Sequence, residues 1–217
     1  MRAIILISIF LWCLIFKAMA AFGLPPAIGR PIPLYIVSVD NSYARPQVRD
    51  RVMRRAVDYW RNYGIKFNRR KLERRADPFL NIQKGLNSAY TEFTSWWLTL
   101  LGEGKITHGV ATHVIAPAIE VGSARFMGGW AYLNSLKGLG AFSYSNCNEY
   151  NDRGEYRFRH CVVAAAHELG HSVIGCGHES GPNLMNANAL FEQNKVEGIG
   201  ILLPLGQECI QKVRARK

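Results

Sequence analysis

Two histidines four residues apart, with a glutamate beside the first, are the residues of this chain best suited to metal chemistry. In His167-Glu168-Leu169-Gly170-His171 the two imidazoles fall on one face of a helix, because residues four apart differ by only about 40° around the axis. One turn separates them, a span that a single zinc ion can bridge. Glu168 lies next to a ligand and is placed to act on the metal's water rather than on the metal. A catalytic zinc takes three protein ligands and leaves its fourth position open. Gly175, Gly177 and His178 follow directly. Glycines let a helix stop and the chain turn sharply, and such a turn can swing His178 back toward the same ion. The chemistry implied is attack of water on a polarised carbonyl, with Glu168 as general base.

Those side chains need a helix to carry them. The run Val162-Val163-Ala164-Ala165-Ala166 is apolar and helix-favouring, so 158–174 is expected to be a buried helix. Upstream, Leu34 to Val39 has strand character, and Pro46 suits the first turn of a helix. Val48, Val52, Ala56, Tyr59 and Tyr63 form an apolar stripe on that helix, with arginines opposite, and Gly64 ends it. Ile65 to Phe67 begins a second strand. Leu86, Tyr90, Phe93, Trp97, Leu100 and Leu101 mark a further helix by a core-facing stripe. Val110 to Ile115 and Arg125 to Leu133 look like strands, 143–155 is a polar loop, and Gly175 to Asn188 is irregular. Leu203 to Arg214 suits a last short helix. This order predicts an α+β fold, a mixed sheet with helices packed against it.

HELGHSVIGCGH followed by Asn183-Leu184-Met185-Asn186 resembles the metzincin signature of zinc endopeptidases, with a Met-turn beneath the metal. Matrixins look nearest, from the HELGHS opening. The resemblance implies Zn2+ held by His167, His171 and His178, Glu168 as base, and Met185 as the Met-turn residue. It also implies a twisted mixed sheet, an active-site helix below it and a small C-terminal helical subdomain. An edge strand near Gly129, Trp130 and Ala131 would pair with an extended protein or peptide substrate. One feature departs from the family. Gly175 stands four residues after His171 and His178 seven, each one more than the family spacing, so an extra residue must be absorbed in the helix end or the turn. Ala187 stands where some metzincins have a tyrosine.

The rest of the sequence sets the setting. Residues 1–20 combine Arg2, an apolar run from Ile4 to Phe16 and Ala18-Met19-Ala20, which reads as a signal peptide cleaved after Ala20. The catalytic domain would then be 21–217, secreted or extracytoplasmic (periplasmic in a double-membrane bacterium), with no membrane span after cleavage. Cleavage removes Cys13 and leaves Cys147, Cys161, Cys176 and Cys209 for two expected disulfides; the sequence leaves the three pairings open, with Cys147–Cys161 favoured because it would close a polar loop before the next helix. The net charge of +11 is concentrated between Arg45 and Arg75, where 12 basic residues face three acidic ones. That region suits a solvated helix face or an anionic surface, and no nucleic-acid motif accompanies it. His108, His113 and His160 match no metal pattern and read as ordinary hydrogen-bonded histidines. Two other readings compete. Glu192 could replace His178 as third ligand in a zinc hydrolase of the HExxH-plus-Glu class, or the chain could be a non-enzymatic exported protein that binds anionic surfaces.

Overall fold

The structure is a computed structural model that describes residues 30–40, 44–76, 98–99, 101–105, 107, 110–116, 120–121, 124–125, 129–131, 141–147, 156–189 and 202–215. The expected leader at 1–20, most of the expected helix between Leu86 and Leu101, His108 and Glu192 lie outside these residues. Among the described residues no helix is long and apolar enough to cross a membrane.

The main sheet has five strands among the described residues. Two come from the apolar runs at 34–39 and 110–115, and one is the basic stretch past Lys66. The single run expected at 125–133 contributes only its part at 129–131, and the start of the expected polar loop at 143–155 is a strand instead. Strands β1 (Ile32–Asp40), β2 (Phe67–Ala76) and β3 (Ala111–Ala116) are followed by the short hairpin of β4 (Glu120–Val121) and β5 (Ala124–Arg125), which stands apart. Strands β6 (Gly129–Ala131) and β7 (Phe142–Asn146) complete the main sheet in the order β2-β1-β3-β7-β6. The first four strands in this order run parallel, and β6 lies antiparallel to β7 at the edge. Parallel strands need crossovers and are covered on both faces, and the residues of the central strands are buried accordingly. On β1, Leu34 and Ile36 point into the helix-side core while Tyr35 and Val37 are buried on the opposite face.

Helix α1 (Pro46–Arg61) buries Val48, Val52, Met53, Ala56, Val57, Tyr59 and Trp60. The arginine face is not uniform, as the stripe alone would have it. Arg49 turns inward, only 1% exposed, and its guanidinium donates from Nε to Ser38 Oγ at 2.7 Å and from Nη1 to the Ala44 carbonyl at 2.6 Å. A buried cation is tolerable only with such partners. The basic stretch also divides between two elements: Arg51, Arg54, Arg55 and Arg61 lie exposed on α1, while Arg69 and Arg70 are exposed on β2, the far edge strand. Charge on an edge strand blocks pairing with other chains. Arg51 also covers the Phe158 ring, its guanidinium carbon 4.7 Å from the centroid.

Helix α2 (Phe158–Leu169) packs on α1 and β7 and is buried from Cys161 to Leu169. It continues as a π-helical turn, Gly170–Ile174. The last helix is α3 (Gln207–Ala215).

The cysteine expectation needs correction. One disulfide joins Cys176 to Cys209, and Cys147 and Cys161 do meet, but as buried thiols in hydrogen-bond contact. That contact and burial push the Cys161 thiol well above its ordinary range. Disulfide exchange runs through the thiolate, so a thiol kept protonated in a dry core is a poor partner for it.

His113 is fully buried between two hydroxyls, with Nδ1 2.7 Å from Ser143 Oγ and Nε2 2.9 Å from Ser145 Oγ. A neutral imidazole satisfies both, donating to one and accepting from the other. Burial lowers its pKa from 6.5 to about 3. The unfolded chain therefore binds a proton at His113 below pH 6.5 that the folded chain refuses until about pH 3. Folded stability is retained above that window and falls as pH drops through it. His113→Gln is expected to flatten the pH dependence of unfolding between those limits by up to about 1.4 kcal/mol per pH unit. Urea titrations of the metal-free parent and variant at several pH values would read this, and parallel curves would refute it.

Candidate metal centre

The pair His167 and His171 sits where α2 passes into its π turn, and each ring is oriented by a backbone carbonyl. His167 Nδ1 lies 2.6 Å from the Leu184 oxygen, and His171 Nδ1 lies 2.6 Å from the Cys176 oxygen. A carbonyl can only accept, so both Nδ1 atoms carry the hydrogen. In the neutral rings both Nε2 atoms then present lone pairs, and these face each other 2.9 Å apart. The third ring closes the group. His178 lies 5.4 Å from His167 and 4.7 Å from His171 between ring centroids. One ligand nitrogen from each of the three lies within 4.8 Å of the others.

The residue that the family spacing does not accommodate is taken up in the helix itself. Helix α1 ends with the usual glycine cap: Gly64 has φ of 86°, its N–H donates to Arg61 O and Ile65 N–H donates to Trp60 O. At Gly175, with φ of 79°, the same two bonds recur as Gly175 N–H to His171 O and Cys176 N–H to Gly170 O. Each is one residue wider than at Gly64. The π turn, Gly170–Ile174, takes up this extra residue and includes His171. It widens the path by which the chain departs toward His178, while the His167 and His171 rings stay in edge contact, 4.5 Å between centroids.

Several side chains support this arrangement. Met185 is fully buried, and a Cβ built on Gly170 would come within 2.7 Å of its sulfur and 2.9 Å of the Trp60 ring. Gly170 thus lets the Met185 turn and α1 press against the helix between the two histidines. Trp60 Nε1 donates to the Ala166 carbonyl at 3.0 Å, tying α1 to the residue before His167. Gly129 on β6 is equally constrained: a Cβ there would strike the Tyr144 carbonyl and come within 2.8 Å of Glu168 Cγ. The bare backbone of the edge strand therefore lies against Glu168. Trp60, Gly170 and Glu179, whose carboxylate reaches α3, were not singled out by the sequence reasoning. Of these only Gly170, inside the HELGH run, carried a local signal.

The electrostatics suit a cation. Burial first, then the neighbouring His171 ring, lowers the His167 pKa from 6.5 to about 3. Burial likewise lowers His171. Neutral rings are the form a metal requires. Glu168 is 4% exposed, and burial holds its carboxyl well above the ordinary carboxylate range. Its Oε2 has no hydrogen-bond partner among the described residues. An orphaned buried oxygen is costly unless a polar group arrives there. Three imidazole nitrogens without a thiolate fit zinc, whose tetrahedral ligands at about 2.0–2.1 Å stand roughly 3.3 Å from one another. The residues present fit the group.

A sheet with four parallel strands and an antiparallel edge, a buried helix bearing two histidines and a third histidine converging on them make up this arrangement. The fold is similar to that of archaemetzincin from Methanopyrus kandleri, with a TM-score of 0.57 at 16% identity over 89% of this chain and 98% of that one. It is also similar to a zinc-dependent peptidase from Methanocorpusculum labreanum, with a TM-score of 0.52 at 16% identity over 84% and 99%. No protein-family model and no curated protein matches the sequence significantly. The chain thus has the fold of zinc metallopeptidases.

Proposed function

We propose that this protein is an exported zinc endopeptidase, with His167, His171 and His178 as ligands and Glu168 as general base. One observation carries the reading. Two buried imidazoles, each with its proton committed to a carbonyl, aim bare Nε2 atoms at each other at 2.9 Å. Two lone pairs in that position repel unless a cation lies between them and the third ring. When bound, zinc supplies Lewis-acid polarisation of the scissile carbonyl and acidification of water.

The chain's own residues supply the rest. Glu168 Oε2, buried and otherwise without a partner, accepts the proton of the attacking water and passes it to the leaving amine. Its raised proton affinity suits a group that must hold a proton between those steps. Among the described residues strand β6 pairs with β7 alone, and Gly129 brings its backbone against Glu168. An extended peptide added antiparallel along Gly129, Trp130 and Ala131 would lay its scissile bond beside the base. Export follows from the signal-like residues 1–20, and the Cys176–Cys209 disulfide is in keeping with an oxidising compartment.

Metal analysis of the purified chain, paired with cleavage of a peptide library, tests this. One zinc per chain is expected, with internal cleavage that a chelator abolishes and added zinc restores. A metal-loaded chain that cleaves nothing in the library would reject the peptidase reading.

A further inference from the structure

The three histidines are not held in the same way. His167 and His171 are each fixed by their own Nδ1–H bond to a carbonyl. His178 is exposed, and its ring makes no hydrogen bond among the described residues. Its place must come from the backbone that carries it.

That backbone is gripped from two sides. Glu179, the next residue, donates its N–H to the Met185 carbonyl at 3.0 Å. Its carboxylate reaches the other way, to the N-terminus of α3, where Oε2 accepts the N–H of Glu208 at 3.0 Å and Oε1 that of Cys209 at 2.8 Å. The same helix holds the segment at two further points, through the Cys176–Cys209 disulfide and through Lys212 Nζ, which donates to the Gly175 carbonyl at 2.6 Å. Gly206 is part of the fit, since a Cβ there would run into the Glu179 carboxylate. A carboxylate suits this seat because the first N–H groups of a helix lack partners and carry partial positive charge. Both bonds are charge-assisted.

We propose that Glu179 is a positioning residue for the third imidazole: by seating its carboxylate on α3 it fixes the residue next to His178 in the place from which that ring completes the metal site. This rests on the reading of His178 as a ligand. The physical gain is pre-organisation. A loop already ordered loses less freedom when the metal binds, and partners beyond the ligands commonly change metal affinity by about 10–100-fold.

Zn2+ affinity of the full, disulfide-intact chain, measured by competition with a chromophoric chelator, tests the proposal on five proteins: the parent, Glu179→Ala, Glu179→Gln, His178→Ala and the double variant His178→Ala with Glu179→Ala. Glu179→Ala should bind zinc about tenfold more weakly, and Glu179→Gln, which keeps one acceptor oxygen, should recover most of the loss. Adding Glu179→Ala to His178→Ala should cost nothing further, because the interaction then has no ring to position. Parent affinity in Glu179→Ala overturns the proposal, as does an equal loss in both backgrounds, which marks a purely structural effect. If His178→Ala itself binds zinc like the parent, the ligand reading fails and the proposal with it, a result distinct from the other two. Should Glu179→Ala not fold, Gly206→Ala displaces the same carboxylate and must weaken zinc binding, and unchanged affinity there is equally decisive.

Discussion

Glu168→Gln is expected to hold zinc as the parent does and to hydrolyse peptides roughly 10²–10⁴-fold more slowly. The side chains are nearly identical in volume, so the packing around Gly129 and α2 is undisturbed. What changes is proton chemistry. The orphaned Oε2 of the parent has a free lone pair and a raised proton affinity from burial, whereas an amide at the same position cannot take a proton near neutral pH. Steady-state cleavage of a fluorogenic peptide, together with metal content of the same preparation, separates the outcomes. A rate within about tenfold of the parent would remove Glu168 from the mechanism. Loss of the metal would make it a ligand instead of a base.

Trp60→Ala is expected to be the most damaging substitution outside the site, lowering unfolding free energy by about 3–5 kcal/mol. Trp60 is fully buried, meets Tyr59 and Tyr63 in the core, and donates to the Ala166 carbonyl. Trp60→Phe keeps a ring but leaves that bond unmade, and should account for about 1 kcal/mol of the effect. Because the Trp60 ring also bounds the space at Gly170, the alanine variant should weaken zinc binding as well as stability. Urea unfolding of the metal-free proteins and chelator competition on the same samples read the two effects. A Trp60→Ala variant as stable as Trp60→Phe would mean that cavity formation is not the dominant cost.

Much of the site was legible because its central part is local. The spacing of His167 and His171 is set by hydrogen bonds inside one helix, and the run from Val162 to Ala166 announces that helix as buried. The stripe of Val48, Val52, Ala56 and Tyr59 gave α1 for the same reason, and β1 and β3 emerged within a few residues of their expected limits. Arg49 was hidden from this logic. A stripe argument sends every arginine to solvent, while the acceptors that let this one turn inward, Ser38 Oγ and Ala44 O, come from outside the helix. The second strand expected from Ile65 to Phe67 does form, and the basic run past Lys66 continues it at the sheet edge, because β2 gains its hydrogen bonds from β1, more than thirty positions earlier in the register that pairs Ile32 with Phe67.

By itself, then, the sequence determined the helix-borne pair, the carboxylate beside it, the glycines that end the helix and a third histidine at a nearly fitting distance. Only the tertiary structure decided that the surplus residue is stored in a π turn over Gly170–Ile174, that Cys176 joins Cys209 while Cys147 and Cys161 stay thiols, and that Glu179 spans to α3. The division has a physical reason. Backbone geometry repeats every few residues and is written in spacing, whereas a bridge between residues 33 positions apart depends on which surfaces the folded chain brings together. No pattern within one segment records that.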